Sequence, residues 1–132
     1  MKYLFDTNIC IYILNNRYLK ILDQIEAAGI EEIAISTMTI AELVVGIEKS
    51  KRKEENKVAL MEFLLPYKIL DFTQEDSYKY GQIRADLERQ GNVIGNMDML
   101  IGSQAITRSL ILVTNNEKEF KRIENLVVEN WI

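Results

Sequence analysis

Five short apolar runs alternate along the chain with longer segments of helical period, and this alternation is what most constrains the fold. The runs at 3–5, 33–35, 68–70, 111–113 and 127–128 read as strands. The segments 7–14, 17–28, 38–49, 52–65, 74–89, 97–108 and 116–122 read as helices. Thr73 through Asp76 is a capping-like helix start, and Gly91 stops the same helix. Strands that alternate with helices predict an α/β fold, a parallel sheet covered on both faces. Sites on such sheets form beyond the carboxyl ends of the strands, near the point where strand order reverses. Asp6 directly follows the first run, and Thr114, Asn115 and Asn116 follow the fourth, so both groups fall on that edge.

With 132 residues and only one proline, Pro66, the chain fits a single domain over 1–132. Its apolar runs are too short to cross a membrane, and no basic, leader-like segment opens the chain. The lone cysteine, Cys10, sits among isoleucines, reads as a core residue and suits a reducing cytoplasm. There is no histidine, which excludes Ser-His-Asp and Cys-His nucleophilic catalysis and histidine-based zinc sites. A formal net charge of −4 argues against binding nucleic acid by bulk electrostatics alone.

Charge is missing where it matters. Within 3–16 the only charged residue is Asp6, within 33–47 it is Glu42, and within 90–107 it is Asp98. The chain is 27% charged, so three long windows holding one carboxylate each stand out. On a helix, Glu42 would neighbour Met38, Thr39, Val45 and Gly46, and Asp98 would neighbour Ile94, Gly95, Ile101 and Gly102. None of these can neutralise an acid. Helices this apolar should be largely buried, and a buried unpaired carboxylate either takes a proton or finds a cation. Singly, Asp6 also suits a helix N-cap and Asp98 the helix dipole; jointly the three acids point to a shared site.

An oxygen-only cluster selects a hard ion such as Mg²⁺ or Mn²⁺, and with room for water it is the apparatus of phosphodiester hydrolysis. Thr114 and Asn115 can hydrogen-bond a metal water or a phosphate, and Asn116 ligates weakly. Glu117 and Glu119 both qualify as a fourth acid, and spacing does not choose between them. Lys49, Lys51, Arg52 and Lys53 could track a phosphate backbone, as could Lys118, Lys121 and Arg122. Both patches are equally compatible with solvated helix faces. Arg84, with Glu88 four residues on, reads as structural, and Trp131 suits either the core or a dimer face.

The segments FDTNICIYIL, STMTIAELVVGI, IGNMDMLIGSQA and LVTNNEKEF resemble the four signature segments of PIN-domain ribonucleases. Among these they are most similar to the toxins of VapBC-type toxin–antitoxin systems. The resemblance implies a three-layer α/β/α domain with a five-stranded parallel sheet and a metal-dependent endoribonuclease acting on structured RNA, tRNA or rRNA. It also implies a homodimer and a cognate antitoxin. Asp6, Glu42 and Asp98 take the family's acidic roles, with Asp6 and Asp98 on the metal and Thr7 and Asn8 supporting the turn. Many PIN domains carry Asp where this chain has Asn116, and Glu119 is the acid expected to take over that role. Two rivals stand beside this reading. A catalytically silent PIN-like module would keep the fold and the partner without the chemistry. A receiver-type signalling domain would need paired acids after strand one and a lysine after strand five, and the chain has neither.

Overall fold

The computed structural model describes residues 1–15 and 20–132. Its strands are β1 (Tyr3–Phe5), β2 (Ile33–Ser36), β3 (Lys68–Leu70), β4 (Ile111–Val113) and β5 (Val128–Glu129). Its helices are α1 (Thr7–Leu14), α2 (Lys20–Ala28), α3 (Thr37–Glu48), α4 (Lys53–Leu64), α5 (Gln74–Arg89), α6 (Asn96–Thr107) and α7 (Glu117–Phe120). The strands form one parallel sheet in the order β3-β2-β1-β4-β5. The chain therefore winds outward from β1 to β3, returns across α5 and α6, and resumes beside β1. The order reverses between β1 and β4.

Alternation along the strands sends side chains to two apolar layers. Leu4, Ala34 and Leu112 face α5 and α6, packing with Ile83, Leu87, Met99, Ile101 and Phe120. Phe5, Ile33, Ile35 and Val113 face the other way, onto Ile9, Cys10, Ile21, Leu43 and Leu60. Burial among these apolar neighbours drives the Cys10 thiol pKa far upward, so it is an inert core residue as expected. Trp131 is also core, with its ring edge-on to Tyr3 and Phe5.

The expected elements recur with small differences. Residues 17–19 of the expected second helix lie outside the described residues. The last strand is displaced by one residue, since the backbone of Val127 and Glu129 bonds Leu112 and Thr114 while the Val127 side chain is exposed. A single 3₁₀ turn at Ile30–Glu32, entered through Gly29 at φ 89°, was too short to show a period. One expectation is corrected: α3 is not buried all round. Val44 is 38% and Val45 53% exposed, because the buried stripe of this helix is Thr39, Leu43 and Ile47, with Met38 and Ile40 packing against the core beside it.

The return helices are locked by a buried acid. Thr73 and Asp76 complete a capping box at the start of α5. The fully buried Asp76 carboxylate also accepts from Arg108 Nη1 at 2.6 Å and from the Thr107 hydroxyl, both at the end of α6. Burial alone would raise its pKa, but the bonds from Arg108, Thr107 and the Thr73 backbone outweigh it and hold the carboxyl below its ordinary range. Asp76→Ala removes the acidic half of the capping box and takes the carboxylate partner from Arg108, so urea unfolding should show a loss of about 3 kcal/mol. A loss below about 1 kcal/mol would mean that apolar packing alone aligns α5 and α6.

Candidate carboxylate-lined active site

Asp6 is the first residue beyond β1, extended at φ −71° and ψ 156°, and it caps α1. Its backbone N–H still bonds Val113 of β4, so the carboxylate emerges between the two central strands. Oδ1 accepts from the Thr7 backbone N–H at 2.7 Å, and Oδ2 accepts from the Thr114 hydroxyl at 2.7 Å. Thr114 is fixed in turn, since its N–H bonds Glu129 and its Oγ1 accepts from the Asn116 N–H at 2.9 Å. Asp6 is only 3% exposed. That burial raises its pKa, the Thr114 and Thr7 bonds oppose the rise, and repulsion from Glu42 adds to it.

Glu42 lies in the second turn of α3 and reaches toward α1, where the Thr7 hydroxyl donates to its Oε1 at 2.6 Å. Thr7 thus binds both acids, one through its backbone and one through its side chain. Asp98 is the third residue of α6. Burial, then repulsion from Asp6, Glu119 and Glu42 in that order, lifts its pKa to about 6. Asp98 thus feels the charge of the other three acids. Of the two candidates for a fourth acid, Glu119 is the one whose charge reaches Asp98, and its Oε2 accepts from Asn116 Nδ2 at 3.1 Å, whereas Glu117 Oε2 accepts from Asn130 Nδ2 at 3.3 Å.

Among the described residues, no Lys or Arg forms an ion pair with Asp6, Glu42, Asp98 or Glu119. The donor chemistry, oxygen only and net negative, fits a hard divalent cation. Among the described residues no group of three acids, histidines or cysteines is already gathered tightly enough to cage an ion. The fit is therefore one of charge and donor type.

Of the other expected residues, Thr7, Thr114 and Asn116 join the site, and Asn8 is exposed on α1. Asn115 donates to the Tyr12 hydroxyl at 2.6 Å, linking the β4 loop to α1. Lys49, Lys51, Arg52 and Lys53 follow the end of α3, about 10 Å of helix axis from Glu42. Arg52 and Lys53 there make exposed ion pairs with Glu55 and Glu48. Lys118 and Lys121 are exposed beside Glu119, while Arg122 bonds the Val93 carbonyl. Arg84 is tied to Glu88 and Tyr80, a structural role as expected. Thr39 and Tyr12 escaped the sequence reading. Thr39 did stand three residues before Glu42, on the same helix face.

The PIN domain family profile matches residues 3–126. Ribonuclease VapC2 of Rickettsia felis is 47% identical over 132 residues, covering 99% of this chain and 98% of that protein. The tRNA(fMet)-specific endonuclease VapC of Shigella flexneri is 37% identical, with 99% of this chain and 98% of that protein covered. Among solved structures, VapBC2 from Rickettsia felis bound to a DNA fragment from its promoter aligns at TM-score 0.93 and 46% identity. That alignment covers all of both chains.

A raised carboxyl pKa means that the folded state holds the proton more tightly than the unfolded chain does. The stabilisation is complete below the ordinary value near 3.8 and is lost as pH rises through about 6 for Asp98. In EDTA at pH 7, Asp98→Asn should therefore be more stable than the parent. The gain, discounted for a partly exposed group, is on the order of 1 kcal/mol. In thermal melts that advantage should fade between pH 6 and 4. An Asp98→Asn protein that melts lower at pH 7 would mean the acid is not held against repulsion.

Proposed function

The chain belongs to the PIN-domain family, in the branch of the VapC ribonucleases, and on that premise we propose that it is the endoribonuclease toxin of a toxin–antitoxin pair. The carrying observation is the cluster of Asp98 with Asp6, Glu119 and Glu42, four acids with no cationic side chain paired to them among the described residues. In this reading Asp6 and Asp98 hold Mg²⁺ or Mn²⁺, while Glu42 and Glu119 line the remaining side. When bound, the ion supplies charge stabilisation at the scissile phosphate and acidifies a water.

The chain's own residues do the rest. Thr7 and Thr114 each satisfy one lone pair of an Asp6 oxygen and leave the others free to accept. Glu42 and Glu119 orient the attacking water and accept its proton as it adds to phosphorus; the opposite P–O bond breaks, and the leaving ribose oxygen takes a proton from solvent water. Asn115 and Asn116 hold the loop that carries Glu119, and Lys118 and Lys121 offer positive charge to the RNA backbone. The turn after α3, with Lys49, Lys51, Arg52 and Lys53, is a weaker and more distant RNA contact.

The substrate class is structured RNA. The Shigella flexneri and Salmonella typhimurium relatives named tRNA(fMet)-specific endonucleases favour a tRNA over rRNA. The relatives solved as VapBC complexes support a cognate antitoxin as partner. A homodimer of single PIN domains spanning 1–132, working in the cytoplasm beside its RNA, completes the reading. No described helix is long and apolar enough to cross a membrane.

Purified antitoxin-free protein, incubated with total tRNA and Mg²⁺ or Mn²⁺, should give discrete fragments that EDTA abolishes. Asp98→Asn should slow cleavage by about a hundredfold or more. Glu119→Gln should lose far more activity than Glu117→Gln. Equal, metal-independent inertness of wild type and Asp98→Asn would make the domain a silent binding module, and equal effects at 117 and 119 would remove Glu119 from the site.

A further inference from the structure

We propose that Thr39 is a positioning residue that holds Glu42 in the site through the Thr7 hydroxyl. Thr39 is fully buried on α3, one turn before Glu42, and its Oγ1 lies 3.2 Å from Thr7 Oγ1. Thr7 Oγ1 in turn lies 2.6 Å from Glu42 Oε1. Thr7 has a single hydroxyl proton. A carboxylate at this distance is the stronger acceptor, in the range of charge-assisted O–H···O⁻ bonds, so the proton points at Glu42. The Thr39–Thr7 contact is then attractive only if Thr39 donates. The chain has one direction, from Thr39 Oγ–H to Thr7 Oγ–H to Glu42.

The arrangement answers a need of Glu42. Its helix presents Val44 and Val45 to solvent, so Glu42 stands at the edge between core and water. A glutamate there gains rotamer freedom by swinging outward. Thr7 opposes that swing, but a threonine hydroxyl with one partner can rotate away. With Thr39 feeding its lone pair, the hydroxyl is fixed from both sides, and α1 and α3 are tied by the same two bonds.

The inference rests on the nuclease reading only for the claim that Glu42 serves the reaction, and the test separates the two. Thr39→Val keeps the shape and removes the donor; Thr39→Ser keeps the donor. In metal-free, ¹³C-labelled protein, Thr39→Val should move the Glu42 carboxyl-carbon signal toward that of a solvent-exposed glutamate, and Thr39→Ser should restore it. On tRNA with Mn²⁺, Thr39→Val should lower kcat about tenfold with KM unchanged, again restored by Ser. An unmoved Glu42 signal in Thr39→Val, or Thr39→Ser behaving like Thr39→Val, overturns the proposal. Should Thr39→Val not fold, Thr39→Cys, a weak donor of similar size, takes its place with the same criteria. Wild-type protein that cuts no RNA refutes the nuclease reading, while the carboxyl signal still decides on Thr39.

Discussion

The parallel pairing of β1 with β4 is the constraint on which the site depends. Phe5 stands opposite Val113, so the next residues, Asp6 and Thr114, leave the sheet side by side. The Asp6 N–H continues the ladder to Val113 while its carboxylate accepts from the Thr114 hydroxyl. A slip of one residue would turn Thr114 away and invert every buried side chain of the strand. Strand order reverses at this same pair, and at such a point the flanking connections open a crevice. α1 and α7 start from it, and α3 and α6 bring Glu42 and Asp98 to its rim.

The molecule handles buried aspartates in two opposite ways. Asp76, fully buried at the α5–α6 junction, receives Arg108, and its pKa falls. Asp6, almost as buried, receives only a hydroxyl and an amide, and its pKa rises. Asp98 is raised too, by burial and by the other acids around it. An aspartate with a purely structural role can be paired with arginine and left there. Filling the crevice with an arginine would neutralise it and close it to cations. Neutral donors fix the direction of the carboxylates without cancelling their charge, which is why threonines and asparagines gather around these acids.

Much of this was legible in the sequence, because the strand runs and helix periods are long-standing local signals and the acids betrayed themselves by isolation. What escaped was set by side chains meeting across the fold. Asp76 lies in the charged stretch QEDSYK, and its partner Arg108 stands far along the chain, so nothing local marked it as buried. The exposed Val44 and Val45 look like core residues in a linear reading, since apolarity reports avoidance of water and not which surface provides the cover. Thr39 looked like an ordinary helix threonine until Thr7 came within reach of its hydroxyl.

The fourth acid shows why family membership does not assign residues by itself. At the place where the PIN resemblance implies an aspartate, this chain has Asn116, and Glu119 follows three residues later. The single turn of α7 brings the two together, and the Asn116 amide donates to Glu119 Oε2. An aspartate at 116 would face Glu119 as a second negative charge in a cluster that already raises Asp98. Asparagine removes that repulsion and becomes a donor to Glu119. Glu117, on the same turn, accepts from Asn130 instead and is not among the charges that raise Asp98. The asparagine and the glutamate are thus coupled in this structure: the amide of one fixes the carboxylate of the other.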